Sequence, residues 1–437
     1  MPASLRAAVS SAFSRRRFLG TASAVGLGAA GLSACSDSGS TTDSEGRTVV
    51  EWWNIQTTEP SKTVWPERAK AFEAANPHVR VKLVTMENDA YKSKMTALTS
   101  SGKLPDIYHT WGGGVLKQQI DAGLVEDLTP SVQPWADTLV PASAKAYQFD
   151  GKTYAVPFDI GAVGFWYNKA LFAKAGIESP PTTWAGYLDA VGKLKSAGIT
   201  PIALAGKEKW PGMYYWAYLA MRIAGVDGMQ KAADAKDFTG DAFVKAGEHL
   251  KELVVLQPFQ KGFLGAAYST PNGEAAAMGN GKAAMELMGQ WAPVVQADAG
   301  KGIGGDLGFF PFPAVDGGKG AQSDVFGGGG GYAVRKGAPK AAADFLKFLV
   351  TAESDRVLVA KGSMMPVVKD ATTALTDPNL KRVSDALGKA TGFQLYLDQA
   401  YPPAVGQEIN DSVAALIAGS KSPDQVARSV TQVAKSQ

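Results

Sequence analysis

The strongest constraint in this sequence is a repeated change of hydrophobic period. Val49-Val50-Glu51-Trp52-Trp53 is a short β-branched and aromatic run that reads as a strand. The next segment, 66–75, places Ala69, Phe72 and Ala75 on one helical face before Asn76 and Pro77 stop it. A strand over 79–86, a helix over 90–101 and a strand over 106–111 follow, and a triple glycine leads into a helix over 115–122. Strand followed by helix, three times over, predicts an α/β fold with a mainly parallel sheet covered by helices. The order recurs, with strands over 151–157, 163–167, 201–205 and 283–288 and helices over 169–175, 183–198 and 213–223. A helix end is expected over 275–279. Segments 309–313 and 327–334 read as irregular or extended, and the chain is mostly helical from Pro339. At 437 residues, 45% apolar and 19% charged, the chain can build two such lobes, and no 20–50-residue repeat suggests a solenoid.

Residues 1–35 are a different kind of sequence. They carry Arg6, Arg15, Arg16 and Arg17 and no acid, then an uncharged Ala- and Gly-rich stretch ending in Leu32-Ser33-Ala34-Cys35. A basic start, a short apolar run and small residues before a cleavage point describe an export signal. Ser14-Arg15-Arg16-Arg17-Phe18-Leu19 matches the twin-arginine pattern. Leu-Ser-Ala-Cys resembles a bacterial lipobox, which implies lipid attachment at Cys35 and a protein held on the outer face of the membrane by that lipid alone. A spanning helix is the competing reading. The stretch is only as long as the shortest spans, and Gly20, Gly26, Gly28 and Gly31 weaken it as a helix. The dinucleotide-like spacing of Gly26, Gly28 and Gly31 follows no strand and lies in a leader, so it carries no nucleotide. Segment 36–46 has no apolar residue and reads as a flexible tether. The leader also explains the charge. Lys and Arg number 44 against 41 Asp and Glu; without the four leader arginines the balance is 40 to 41, or −1. The basic excess therefore gives no reason to expect a nucleic-acid partner.

The body offers little catalytic chemistry. A single Cys and three scattered His (His78, His109, His249) leave no metal spacing, and no cofactor is expected. There is no Gly-x-Ser-x-Gly elbow, and the nearest phosphate-loop match, 276–283, has Ala where it needs Gly and Ala where it needs Ser or Thr. Aromatics are plentiful instead. Trp53, Trp111, Trp210 and Trp291 neighbour polar residues, and Trp210-Pro-Gly-Met-Tyr214-Tyr215-Trp216 is the densest cluster. Flat rings beside amides and carboxylates suit the apolar faces and hydroxyl rim of a sugar, although the same rings could simply be core. Trp111 and Trp291 stand out because Gly-flanked strand ends are where open α/β sheets bind ligands. Asp159, at an expected crossing between lobes, and Asp398 could each accept two hydroxyl hydrogen bonds or be solvated turn residues. Asp106 reads as structural. Glycines 327–331 read either as a flexible surface loop or as a hinge or a place where backbone approaches ligand closely, and the flanking Phe326 and Tyr332 favour an interior crossing.

Several short blocks together resemble one family. They are Trp53-Asn54; Leu104-Pro105-Asp106-Ile107; Gly151-Lys152-Thr153-Tyr154-Ala155-Val156-Pro157 with Tyr167-Asn168-Lys169; Pro181-Thr182-Thr183-Trp184; and Gly281-Lys282-Ala283-Ala284-Met285 with Gly289-Gln290-Trp291-Ala292. They look like a family 1 extracellular solute-binding lipoprotein of a bacterial ABC sugar importer, related to maltose-binding protein. The resemblance implies a periplasmic-binding-protein-like (type II) fold: two α/β lobes, a three-segment hinge and a ligand cleft between the lobes. It places the first lobe at 47–157 plus 331–372 and the second at 158–330 plus 373–437. It implies ligand contacts at Asn54, Gln56, Thr110, Trp111, Trp210, Tyr214, Trp291 and Asp398; Asp159, Gln290 and Gly328 complete the candidate set. Permease subunits are the implied protein partner, and a monomer is expected. The sequence departs from maltose-binding protein at the Lys and Glu positions around the cleft. Its Glu-Trp-Trp-Asn opening and leader resemble actinobacterial importers of plant oligosaccharides, which implies xylobiose, cellobiose or a related β-linked sugar. Two rivals remain at this point: a surface glycoside hydrolase using Asp159 and Asp398, and the same fold holding a polyol, peptide or phosphate ester. A charged ligand would need a cation such as Arg222 or Lys207.

Overall fold

The computed structural model describes residues 42–361 and 364–437; the leader, Cys35 and residues 36–41 lie outside the described residues. The last part of the expected tether is ordered. Thr42 bridges to Thr48, and Asp43 closes a turn on Arg47 through a 2.8 Å ion pair. Composition hid this because the turn is held by polar groups and buries nothing apolar.

The first sheet has five strands in the order Val79–Thr85, Thr48–Asn54, Ile107–Thr110, Gly331–Val334, Ala155–Pro157. The first three are parallel, and Gly331–Val334 runs antiparallel to both its neighbours. Val50 and Trp52 point into the core, where Trp52 meets Trp65 edge-on at 5.5 Å and Phe345 at 5.0 Å. Trp65 explains a difference from expectation. The first helix runs Ser61–Ala75 and contains Pro66, instead of starting there. Burying Val64 and Trp65 completely outweighs the ~3 kcal/mol cost of an interior proline.

The second sheet has four strands, in the order Leu307–Phe310, Gly164–Asn168, Ala283–Met288, Thr200–Ile202. Every residue of Ala283–Met288 and Gly164–Asn168 is buried, as expected when helices cover both faces. The Trp210–Ala224 helix begins three residues earlier than its hydrophobic period predicted, with Pro211 in its first turn.

Between these sheets lies a three-stranded ribbon of Phe393–Leu395, Val325–Gly328 and Gly161–Ala162. The chain passes from the first sheet to the second at 158–163 and returns at 329–330. The two passages are bonded to each other: the backbone N–H groups of Phe158 and Asp159 both donate to the Gly330 carbonyl, at 2.9 and 3.2 Å. The five glycines are therefore an interior crossing made of two short strands and a two-residue link. None of them has positive φ. What they provide is closeness, since a Cβ at Gly329 would fall on the Asp159 carbonyl and one at Gly330 on the Phe158 ring. The molecule is thus two-lobed. Among the described residues no helix is long and apolar enough to cross a membrane.

Candidate functional site

The parallel strands of the first sheet end at Asn54, Thr85 and Thr110, and their following loops form one wall of a cavity of about 190 Å3. This is the carboxyl-end position at which open α/β sheets hold ligands. Gln56, Thr57, Asn88, Lys92 and Trp111 come from this side. Two expected contacts shape that wall from behind. Asn54 is fully buried, and its Oδ1 accepts from the Gln56 backbone N–H at 3.1 Å; Thr110 Oγ1 accepts from Gly112 N–H at 3.1 Å. Neither lines this cavity, although Thr110 reaches a second one beside it.

The opposite wall is aromatic. Trp210, Tyr214, Tyr268, Trp291 and Tyr396 line it. Tyr214 and Tyr396 stack at 5.7 Å, while Trp210 packs against Tyr214 at 5.3 Å and edge-on to Tyr268 at 5.7 Å. Trp210 and Tyr214 are buried, whereas Trp291 and Trp111 keep partly exposed rings. Of the three Trp that line the cavity, the two singled out by their strand-end positions are thus the two that keep exposed surface. Tyr268 and Tyr396 carried no local sequence signal, because they come from segments remote in the chain that meet only at the cleft. Gly328 lies behind Tyr396, with no room for a Cβ against that ring, and its neighbours Gly329 and Gly330 line the cavity in its place.

Asp159 sits at the base, where the two passages meet. Its Oδ1 accepts from the backbone N–H of Ile160 (2.9 Å) and Met365 (2.8 Å), and its Oδ2 accepts from Gln290 Nε2 at 2.6 Å. Burial pushes its carboxyl up to about 7 against these hydrogen bonds. Gln290 is itself packed on Gly161, where any Cβ would fall on the carboxamide oxygen. That oxygen, Tyr396 Oη and Trp210 Nε1 are buried with no hydrogen-bond partner among the described residues. A ligand hydroxyl can satisfy such groups.

Two of the charged groups engage each other. Asp398 pairs with Lys92 at 2.8 Å, and Lys92 Nζ lies 5.0 Å above the Trp111 ring. Lys92, on the Asn88–Ser101 helix, escaped the sequence reading because its partner is some three hundred residues away. Arg222, one of the two cations considered for a charged ligand, belongs elsewhere. It is 1% exposed, and all five of its N–H groups go to backbone carbonyls of residues 312–324, so it staples a loop of the second lobe. Lys207 lines the second cavity. A site with aromatic faces, paired charges and unmet hydrogen-bonding groups can hold a neutral polyhydroxylated molecule.

The match to known proteins agrees with this geometry. Residues 56–356, more than half of the chain, match the family model for bacterial extracellular solute-binding proteins. An uncharacterised ABC transporter extracellular-binding protein of Pyrococcus horikoshii is 27% identical over 406 residues, covering 89% of this chain and 87% of that protein. The multiple sugar-binding protein of Streptococcus mutans is 28% identical over 351 residues, covering 77% and 79%. A solved structure from work on xylan utilization by the thermophilic bacterium Caldanaerobius polysaccharolyticus is 30% identical, with a TM-score of 0.81, covering 88% of this chain and 99% of that one.

Proposed function

The chain belongs to the bacterial extracellular solute-binding protein family, and we propose that its solute is a short β-linked plant sugar of the xylobiose or cellobiose type, delivered to an ABC permease. It is an extracellular sugar-binding receptor of an ABC transporter and not an enzyme. The observation that carries the sugar assignment is the pairing of an aromatic wall with a polar one. Trp291 offers a ring face from the aromatic wall, Trp111 and Gln56 offer a ring face and hydrogen bonds from the opposite one, and Gln290 and Asp159 offer hydrogen bonds at the base. In this reading the lobes are 47–157 plus 331–372 and 158–330 plus 373–437. They close about the crossings at 158–163 and 329–330, and closure on sugar selects the arrangement that docks with the permease. The receptor acts as a monomer, tethered by a lipid at Cys35.

Calorimetric titration of the full chain with xylobiose, cellobiose, maltose and β-galactobiose tests this. The expected result is strongest binding to xylobiose or cellobiose. Strongest binding to maltose or galactobiose would overturn the linkage and sugar type, and no heat with any of the four would overturn the sugar reading itself.

A further inference from the structure

The cleft is divided. Beside the aromatic cavity lies a second one of about 300 Å3, and the two share Lys92, His109, Trp111, Trp210, Asp398 and Gln399 along their common boundary. Their chemistry differs. The second is rimmed by Asp89, Lys207 and Glu208, and Tyr91 is the one aromatic ring it does not share with the first. The first holds about 190 Å3, so a ligand confined to it is short, while the two together would admit a longer one. What stands between them therefore bears on how much ligand the cleft accepts.

We propose that the Lys92–Asp398 ion pair is a septum that limits ligand length, confining a short saccharide to the aromatic cavity and excluding longer chains. This deepens the sugar reading above and rests on it. The pair is built to stay closed. Asp398 has a side chain only 9% exposed, and its Oδ2 accepts from Lys92 Nζ at 2.8 Å and from Gln399 Nε2 at 3.0 Å. The Lys92 stem is 29% exposed and its ammonium is held over the Trp111 ring, so both partners are anchored from the side as well as to each other. Asp398 rides on the Leu397–Ala400 turn, which is clamped to the other lobe: a Cβ at Gly113 would strike the Gln399 carbonyl. A saccharide too long for the first cavity must part Lys92 from Asp398 and leave a mostly buried carboxylate with Gln399 as its remaining donor. A short one leaves the pair intact. The discrimination is thus a penalty on the long ligand, imposed by unpairing charges.

The test is titration of the full chain with xylobiose, xylotriose and xylotetraose and with the matching cello-oligosaccharides, using wild type, Lys92→Met and Asp398→Asn. Lys92→Met keeps the stem over Trp111 and removes the charge; Asp398→Asn keeps the shape. The readout is the ratio of tetrasaccharide to disaccharide affinity, with thermal melts establishing that each variant is folded. In wild type the tetrasaccharide is expected to bind about tenfold or more weakly than the disaccharide, and each variant is expected to raise the ratio about tenfold. A wild type that binds both lengths equally, or a rise below about threefold in either folded variant, overturns the septum while leaving the sugar reading in place. No heat from any member of either series overturns the sugar reading and the septum with it.

Discussion

The two walls of the cleft are made by opposite means. The wall of the first lobe consists of residues in the loops and the helix start that follow its strands, such as Gln56, Asn88 and Lys92, whose side chains are polar and partly exposed. The wall of the second lobe is a bank of rings, with Trp210, Tyr214 and Tyr396 packed on one another and on the core beneath. The rings stay put whether or not a ligand is present, because moving them would open the core. The polar groups sit on a loop and a helix start and are useful only when brought to the ligand. The contrast suggests that sugar lands first on the aromatic wall and that closure then adds the hydrogen bonds.

If so, damage to the rings should cost most. Trp291→Ala is expected to weaken sugar binding about 100-fold by calorimetry, as for a central aromatic anchor, with little change in melting temperature because the ring is half exposed. Next comes the base where the walls join. Gly161→Ala places a methyl on the Gln290 carboxamide, which must abandon Asp159; chemical denaturation should show a loss of ~1–3 kcal/mol, the cost of overpacking.

The lobes should also differ in the sign of their pH response. In the first lobe burial holds the His109 imidazole neutral, down to about 3, so the stability it contributes above pH 6.5 is lost as the pH falls. In the second lobe burial pushes the Glu274 and Glu286 carboxyls up, with the Glu286 charge adding to the rise of Glu274 and the Gln296 hydrogen bond opposing that of Glu286; Asp159 at the joint is raised to about 7. These acids favour the protonated form in the folded state. Their contribution is full below the ordinary carboxylate range and is lost as pH rises through neutrality. Melting temperature is therefore expected to fall by several degrees between about pH 5 and about pH 8, and Glu286→Gln should flatten that limb. A rising limb over the same range would contradict the assignment. The smallest effect belongs to the polar wall: Gln56→Ala should weaken binding only several-fold, about 1 kcal/mol, in the same titration. An effect of Gln56→Ala as large as that of Trp291→Ala would erase the difference between the walls.

Much of this was legible in local sequence. The strands read at 49–53, 79–86 and 106–111 from hydrophobic period lie within a residue of those observed, and the strand-end rule points to Trp111 and Trp291, which line the cavity. Asp106 also behaves as its position suggested, accepting from Glu51 N–H and pairing with Arg335 at 2.6 Å. The reading was weaker where a residue's role depends on distant partners. Asn54 and Thr110 sit at the right strand ends, but their side chains turn back to hold loops. Arg222 looked available because its five carbonyl partners lie some ninety residues or more along the chain.

The sequence by itself determined the α/β alternation, the neutral body and the supply of rings, because those depend on period, composition and propensity within short windows. The tertiary structure alone decided that Lys92 faces Asp398 and that Tyr268 and Tyr396 share a wall with Trp291. The reason is physical. A period is a property of neighbours in sequence, whereas a cleft is assembled from segments that touch only after both lobes have folded.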